Sequence, residues 1–213
     1  MYNIIRSQVF RPAKPQPDHI LKGTNIMCDL QQQPEITTIE QYRALPNYVS
    51  AEVFDGQVCY MASHSRTHRA ILSELTSRLS AYVMQKNGDC AVIPAPFDVK
   101  LSNIPFTLVH PDIMIVCNKH KLVGTWCNGA PDFITEIVSP GYPSDDYVRK
   151  LYYYHNHGVR EYWIVDPKRR SVFVNYFEEN LFSIPYTFDS IIKVNIYDDL
   201  YINFSNIATL LNL

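Results

Sequence analysis

Two carboxylates stand where the chain enters apolar, strand-like runs, and their positions suggest metal chemistry. Asp112 follows Pro111 and precedes the apolar run 113–117, whereas Glu136 lies inside the run 133–138. A buried carboxylate is unfavourable unless it is paired with a cation or binds a metal. If the two strands pair, both carboxylates can converge on one divalent cation. The pair is therefore a functional-site hypothesis.

Such a pair suits magnesium, or manganese in its place. Mg²⁺ prefers hard oxygen ligands and keeps several of its water molecules, so two carboxylates and a substrate phosphate are enough to hold it. The bound ion polarises a phosphoryl oxygen and lowers the pKa of a water molecule that can attack it. A nearby lysine would add a positive charge that orients this water or stabilises the transition state.

The elements that would position these side chains can be predicted from periodicity. The clearest helix spans 66–86, because five apolar residues share one of its faces and Asn87-Gly88 ends it. A second helix is predicted over 144–157, after a loop rich in Pro, Gly and Ser. Asp55-Gly56 joins two β-rich runs and predicts a hairpin.

Three further elements complete the pattern. Thr37 and Glu40 have the spacing of a capping box, which predicts a short helix. The strand 161–166 turns at Pro167 into a hairpin partner, and the chain closes with a short helix. Strands with one early and one later helix predict a mixed α/β (α+β) fold, a twisted sheet flanked by helices.

Length and composition indicate one domain with an extension. The chain has 213 residues, 46% of them hydrophobic, which is enough for a real core. Residues 1–35 contain many prolines and the stretch "QQQP", so we predict an N-terminal arm at 1–35 and one domain at 36–213. The formal charge of -2 gives no sign of a wholesale nucleic-acid binder, although a local basic groove can still exist.

Cysteine usage and hydropathy predict a cytoplasmic protein. The five cysteines are odd in number and form no CxxC pair, so buried free thiols in a reducing compartment are expected. No apolar run approaches the roughly 18 residues that a membrane helix needs. The N-terminus lacks the pattern of a signal peptide.

The motifs, taken in order, resemble a known nuclease group. Pro111-Asp112 followed by Glu136-Ile137-Val138 resembles the PD-(D/E)XK nuclease motif, except that Val138 stands where lysine is standard. From about residue 37 to the C-terminus, the chain resembles the Uma-type family of "putative restriction endonucleases" within that superfamily. The segments that carry the resemblance include "AEVFDGQVCYMASHSRTH", "FDVKL", "HPDIMIV", "PDFITEIVSP" and "GVREYWIVDP".

This resemblance implies a restriction-endonuclease-like core, DNA as the substrate and a set of site residues. Asp112 and Glu136 would be the metal ligands, and Glu52 would be the acidic residue that completes the site. Lys150, on the helix after the glutamate strand, would replace the missing strand lysine and position or activate water. Asp98 would be a further ligand or would support one.

Each of these residues also has a structural interpretation. Asp112 could be a turn or cap residue, and Glu136 could form a buried salt bridge with Lys150. Glu52 could lie on the surface of an edge strand, and Lys150 could be a solvated helix residue. At the level of function, the alternatives are a catalytically inactive nuclease-fold module for binding or assembly, and an acid/base hydrolase that uses two carboxylates without metal.

Two groups of aromatic and imidazole side chains leave other options open. His64 and His68 have the i, i+4 spacing that can bind zinc on a helix, but no third ligand is evident, so a site-lining or capping role is favoured. Tyr147 and the run 152–154 give the second helix aromatic faces. Core packing explains them, and an aromatic surface can also form a dimer interface, so a homodimer is a further prediction.

Overall fold

The computed structural model describes residues 35–46, 50–61, 63–139 and 145–212. The predicted arm at 1–35 lies, apart from its last residue, outside the described residues. The division of the chain into arm and domain therefore stays a prediction.

The described part contains fourteen strands and four α-helices. The strands are β1 (Ala51–Phe54), β2 (Gln57–Tyr60), β3 (Ala91–Pro94), β4 (Asp98–Asn103), β5 (Phe106–Val109), β6 (Ile113–Val116), β7 (Leu122–Val123), β8 (Trp126–Asn128), β9 (Phe133–Ile137), β10 (Glu161–Asp166), β11 (Ser171–Tyr176), β12 (Leu181–Thr187), β13 (Ile191–Lys193) and β14 (Tyr201–Asn203). The helices are α1 (Ile39–Arg43), α2 (Arg66–Gln85), α3 (Leu151–His157) and α4 (Phe204–Leu211). A π-helical turn, Asp145–Lys150, leads into α3.

Most strands belong to two mixed six-stranded sheets. The first sheet has the order β2-β1-β5-β4-β8-β7 and the second has the order β12-β11-β10-β9-β6-β3, while β13 and β14 form a separate hairpin. The one parallel pair in each sheet is β4 with β8 and β9 with β10. The predicted mixed α+β class is confirmed, but the single predicted sheet is two.

The second sheet is covered on both faces, which explains its continuous apolar strands. One face packs against α2, α4 and the β13–β14 hairpin. The other face packs against the first sheet and α3, in a core that includes Met114, Ile134, Tyr154 and Val99. A third cluster lies on the outer face of the first sheet, beneath α1.

Local sequence explains where the main elements begin and end. Ser65 caps α2 by accepting a hydrogen bond from the His68 amide, and the predicted apolar stripe of this helix is buried. The predicted turn at Asp55-Gly56 joins β1 to β2, and both residues have positive φ angles of 49° and 82°. Such angles match the type I′ turns of two-residue hairpins.

Two boundaries differ from the prediction. The capping box of α1 uses Thr38 and Gln41 rather than Thr37 and Glu40, because this register turns Ile39 into the core. The second predicted helix begins as the π-helical turn, and α3 then ends at Gly158, whose φ of 90° suits glycine.

The cysteine prediction is wrong for three of the described residues, because Cys59, Cys90 and Cys117 are all disulfide-bonded. Cys90 and Cys117 are joined by a disulfide, because β3 and β6 pair in a register that brings these flanking residues opposite each other. Cys127 is a buried free thiol, as predicted, and burial raises its pKa to about 11. Because disulfides are typical of oxidising environments, the cysteines no longer support a reducing compartment. None of the helices in the described ranges has the length and apolar character needed to cross a bilayer.

Candidate active site

A cleft of about 70 Å³ lies between the two sheets, beside the start of α2 and the π-helical turn. A water molecule needs roughly 10–15 Å³ of such space, so a metal ion with several waters fits. The cleft is lined by Glu52, Cys59, Tyr60, Met61, His64, His68, Asp112, Glu136, Ile137, Ser139, Asp146 and Lys150. All four residues predicted to form the site are among them.

Strand pairing brings Asp112 and Glu136 together. β6 runs antiparallel to β9 with Ile113 opposite Thr135, so Asp112 comes opposite Glu136 on the same face. Side chains directly opposite each other have Cβ atoms about 4.5–5.5 Å apart. Glu52 approaches from the first sheet, because alternation on β1 turns its neighbour Val53 towards the third core cluster and Glu52 towards the second sheet.

Lys150 joins these carboxylates from the π-helical turn. Its Nζ lies 3.1 Å from Glu52 Oε1, 3.0 Å from Glu136 Oε1 and 3.6 Å from Asp146 Oδ1. The side chain is 5% exposed, so the interpretation as a solvated lysine is wrong. Glu52 is not on an edge strand either, since β1 lies between β2 and β5. The buried salt bridge offered as the structural alternative for Glu136 is present.

The Asp112 carboxylate is fixed by two partners that both use Oδ2. The Ile137 amide donates to it at 2.7 Å, and His68 Nε2 lies 3.0 Å away. Among the described residues, none forms a hydrogen bond with Oδ1. Asp112 therefore has a defined orientation and an oxygen that remains available to a ligand in the cleft.

Burial and charge shift the proton equilibria of the site in a consistent way. Burial raises the pKa of Glu136 well above its ordinary value. The Lys150 ammonium lowers this pKa, but the neighbouring carboxylates raise it again. Burial alone would lower the pKa of Lys150, but Glu136, Glu52, Asp146 and Asp112 raise it well above its ordinary value. Lys150 is consequently an ammonium ion at neutral pH.

Tyr154 is a site residue that the sequence analysis assigned only to packing. Its hydroxyl donates to Glu136 Oε1 at 2.6 Å, and the residue is fully buried on α3. Burial, followed by the charge of Glu136, raises the pKa of Tyr154 well above its ordinary value. Its position four residues after Lys150, on the same helical face, was the available signal.

Asp98 does not reach the cleft. Its carboxylate lies 3.3 Å from His110 Nδ1, and the His110 amide donates to Glu52 Oε1 at 3.0 Å. Tyr42 contacts the other His110 ring nitrogen at 2.6 Å. Asp98 therefore supports Glu52 through His110 and is not placed as a direct ligand.

His64 and His68 are not a pair on one helical face. His64 precedes the cap of α2, while His68 lies in its first turn, and the two rings stack with centroids 4.1 Å apart. Burial, and next the adjacent His68, lower the pKa of His64. The structure supplies the third side chain that the sequence did not reveal, because Asp112 lies beside both.

The donor set fits a hard divalent cation. Four carboxylates surround the cleft, and Lys150 is the lysine that forms ion pairs with three of them within the described ranges. Buried anions in excess of cations are unfavourable until a cation compensates them. Carboxylate oxygens are the ligands that Mg²⁺ and Mn²⁺ prefer. Asp112 and Glu136 could hold such an ion, with Glu52 adjacent.

Comparisons with known proteins identify the family and the fold. The family model described as "Uma2: Putative restriction endonuclease" matches residues 39–186, a range that includes all four predicted site residues. A crystal structure of "a putative nuclease belonging to DUF820" from Anabaena variabilis ATCC 29413 is similar, with a TM-score of 0.69 and 18% sequence identity. The match covers 82% of this chain and 98% of that one, which shows a shared fold. No curated protein matches the chain. Since the family model matches more than half of its length, the chain belongs to the Uma2 family of "putative restriction endonucleases".

Proposed function

We propose that this protein is an endonuclease that hydrolyses DNA phosphodiester bonds with Mg²⁺ or Mn²⁺. Membership of the family supports the nuclease class. The observation that carries the proposal is the convergence of Asp112 and Glu136 from paired strands, with the Lys150 ammonium 3.0 Å from Glu136. The metal and the DNA substrate are part of the proposal.

In this mechanism Asp112 and Glu136 would hold the metal. Both hydrogen bonds to Asp112 fall on Oδ2, and those from Tyr154 and Lys150 to Glu136 fall on Oε1, so each carboxylate has a second oxygen to offer. When bound, the ion would polarise a phosphoryl oxygen and lower the pKa of a water molecule. Tyr154 and the Ile137 amide keep the two carboxylates oriented, as partners of metal ligands commonly do.

Lys150 acts as a donor rather than a base. The surrounding carboxylates raise its pKa well above the ordinary value, so it holds its proton at neutral pH. An ammonium group beside the metal-binding carboxylates can orient the attacking water and stabilise negative charge that develops on the phosphate. Lys150 would therefore orient water and stabilise charge, and it would not remove a proton from the water.

Nicking of a supercoiled plasmid by the full chain tests the proposal. We expect relaxation in Mg²⁺ or Mn²⁺, none in a chelator, and loss of activity in Glu136→Gln. Glu161→Gln is the matched control, because Glu161 is buried on the adjacent strand but binds Trp163 and Asn195, outside the cleft. Equal activity with and without metal would contradict the proposal and favour the metal-free acid/base hydrolase.

A second candidate is the catalytically inactive binding or assembly module. The observation in its favour is that Lys150 and Tyr154 already satisfy one Glu136 oxygen without a metal. A buried network of ion pairs and hydrogen bonds such as this one can be retained for structural reasons. DNA binding without cleavage in any divalent cation would select this candidate.

A homodimer and a cytoplasmic location accompany the proposal. Leu181, Phe182 and Ile184 are exposed on β12, an edge strand of the second sheet, and Tyr152 is exposed on α3. An apolar edge strand is a ready surface for pairing. Light scattering at micromolar concentration should give twice the chain mass, and a monomer would contradict the dimer.

The cytoplasmic location now depends on the proposed action on DNA, because the cysteines no longer support it.

A further inference from the structure

We infer that His64, His68 and Asp112 form a second metal site, for a borderline divalent transition metal such as Zn²⁺, Co²⁺ or Ni²⁺. One ligand atom from each of the three residues lies within 4.8 Å of the others. The site adjoins the carboxylate pair and shares Asp112 with it. The inference concerns metal binding and does not require that the protein cleaves DNA.

The start of α2 brings the two imidazoles together. Ser65 Oγ accepts a hydrogen bond from the His68 amide at 3.1 Å, and this cap places His64 just before the first turn. The rings consequently stack with their planes 30° apart. His68 is 2% exposed and Asp112 is 4% exposed, so the set is preorganised at the inner wall of the cleft.

Hydrogen bonding alone does not account for the two rings. His68 Nε2 contacts Asp112 Oδ2 at 3.0 Å, but the Nδ1 atoms of His64 and His68 are buried and have no hydrogen-bond partner within the described ranges. Buried polar atoms in native proteins are nearly always paired. Two stacked imidazoles beside a carboxylate, each with one buried nitrogen that has no partner, are therefore better explained as part of a metal site.

The ligand types separate this site from the carboxylate pair. Imidazole nitrogen suits zinc, nickel and copper, whereas magnesium takes oxygen ligands. Three protein ligands with one open position are the arrangement of catalytic zinc. Zinc bonds of about 2.0–2.1 Å place tetrahedral ligand atoms roughly 3.3 Å apart, close to the His68–Asp112 contact. Because Oδ1 of Asp112 accepts no hydrogen bond from the described residues, Asp112 would keep an oxygen for the neighbouring carboxylate site.

Titration of the tag-free, chelator-treated full chain with Co²⁺ tests the inference. We expect one equivalent to bind with visible absorption, Zn²⁺ to displace it, and a tenfold excess of Mg²⁺ to leave it bound. His64→Gln should weaken Co²⁺ binding at least tenfold. Glu136→Gln should retain it, because Glu136 is not in the ligand set, and so should His120→Gln, a control at an exposed histidine.

Absence of Co²⁺ absorption in the wild type, displacement by Mg²⁺, or unchanged binding in His64→Gln would each overturn the inference. The wild-type spectrum and the Mg²⁺ competition decide it even if His64→Gln does not fold, which thermal unfolding will reveal. Plasmid nicking in the same preparations keeps the two proposals apart. Intact Co²⁺ binding without Mg²⁺-dependent nicking contradicts the nuclease alone, whereas nicking without Co²⁺ binding contradicts the second site alone.

Discussion

The two ends of the β6–β9 pair carry the same dipeptide but different chemistry. Pro111-Asp112 enters β6 and Pro131-Asp132 enters β9, and the strands are antiparallel, so the two aspartates lie at opposite ends. Each accepts an amide hydrogen bond from the far end of the other strand. Ile137 donates to Asp112 at 2.7 Å, and Cys117 donates to Asp132 at 2.8 Å.

The charges and the cleft around them distinguish these ends. Asp132 has Arg160, which is partly exposed and also binds Glu178. Asp112 lies among three further carboxylates that share the buried Lys150. Water screens the partly exposed charges of Arg160 and its partners, whereas the buried carboxylates at the Asp112 end are compensated by Lys150 and by a proton, which the raised pKa of Glu136 favours, or a bound cation. An aspartate before a strand is therefore a structural feature in itself, and its surroundings create the site.

Substitution of the two aspartates should produce the greatest difference, and this difference is in nicking activity. Asp112→Asn removes a proposed metal ligand and should lower metal-dependent nicking by at least about 10²-fold, in the range for loss of a key electrostatic group. Asp132→Asn has the same chemistry and local sequence but lies outside the cleft, so its activity should stay near the wild-type level. Initial nicking rates of both variants check this, and equal losses would remove the distinction between the ends.

The cations at the two ends should differ in their effect on stability. Lys150→Met leaves buried carboxylates uncompensated and should lower the free energy of unfolding by about 3–5 kcal/mol. Arg160→Met breaks partly exposed pairs and should lower it by about 0–1 kcal/mol. Urea unfolding in a chelator measures both. A Lys150→Met protein as stable as Arg160→Met would contradict this prediction and show that protonation or hydrogen-bond donors already compensate the carboxylates.

A tyrosine lies at each end, and the loss of its hydroxyl should affect stability differently at the two ends. Tyr154→Phe removes the hydroxyl that donates to Glu136, and a hydrogen bond to a charged group contributes about 1.5–3 kcal/mol. Tyr197 lies near Asp132 and Arg160, but its buried hydroxyl has no hydrogen-bond partner in the described ranges, so Tyr197→Phe should be neutral or slightly stabilising. Thermal unfolding of both variants tests this, and a similar loss in both would contradict it.

The smallest effect concerns pH at the Asp132 end. Burial raises the pKa of Glu161 above its ordinary 4.5, despite the hydrogen bonds from Trp163, Asn195 and Ile196. The folded state then binds more protons than the unfolded state above pH 4.5, so the free energy of unfolding falls as pH rises through the folded pKa. Glu161→Gln should lack this fall. Because Glu161 lies outside the cleft, millimolar Mg²⁺ should not change the difference between the two proteins.

Periodicity and turn chemistry predicted the elements well where local forces decide. The helix 66–86 is found as α2 over Arg66–Gln85, and the Asp55-Gly56 hairpin forms as expected. Local sequence failed where two registers satisfy the same pattern, as at Thr38, or where the outcome depends on a distant strand. The disulfide between Cys90 and Cys117 is such a case, since residues 27 apart meet only through strand pairing.

The candidate site also combines residues that local sequence predicted with a contact that only the tertiary structure revealed. Asp112, Glu136, Lys150 and Glu52 were predicted, and the structure brings them to one cleft, while their catalytic roles stay a prediction. Tyr154 was missed as a partner of Glu136, because its tyrosine-rich surroundings in sequence indicate packing equally well.

The sequence by itself determined which residues could do chemistry and which face of the helix 66–86 would be buried, because side-chain type and helical periodicity are local properties. Tertiary structure alone decided that Asp112 belongs to a charged cleft and Asp132 does not, since each aspartate follows a proline and precedes an apolar strand. The reason is physical. The free energy of a buried carboxylate depends on the charges and donors within a few ångströms, and those groups arrive from strands and helices far away in the chain.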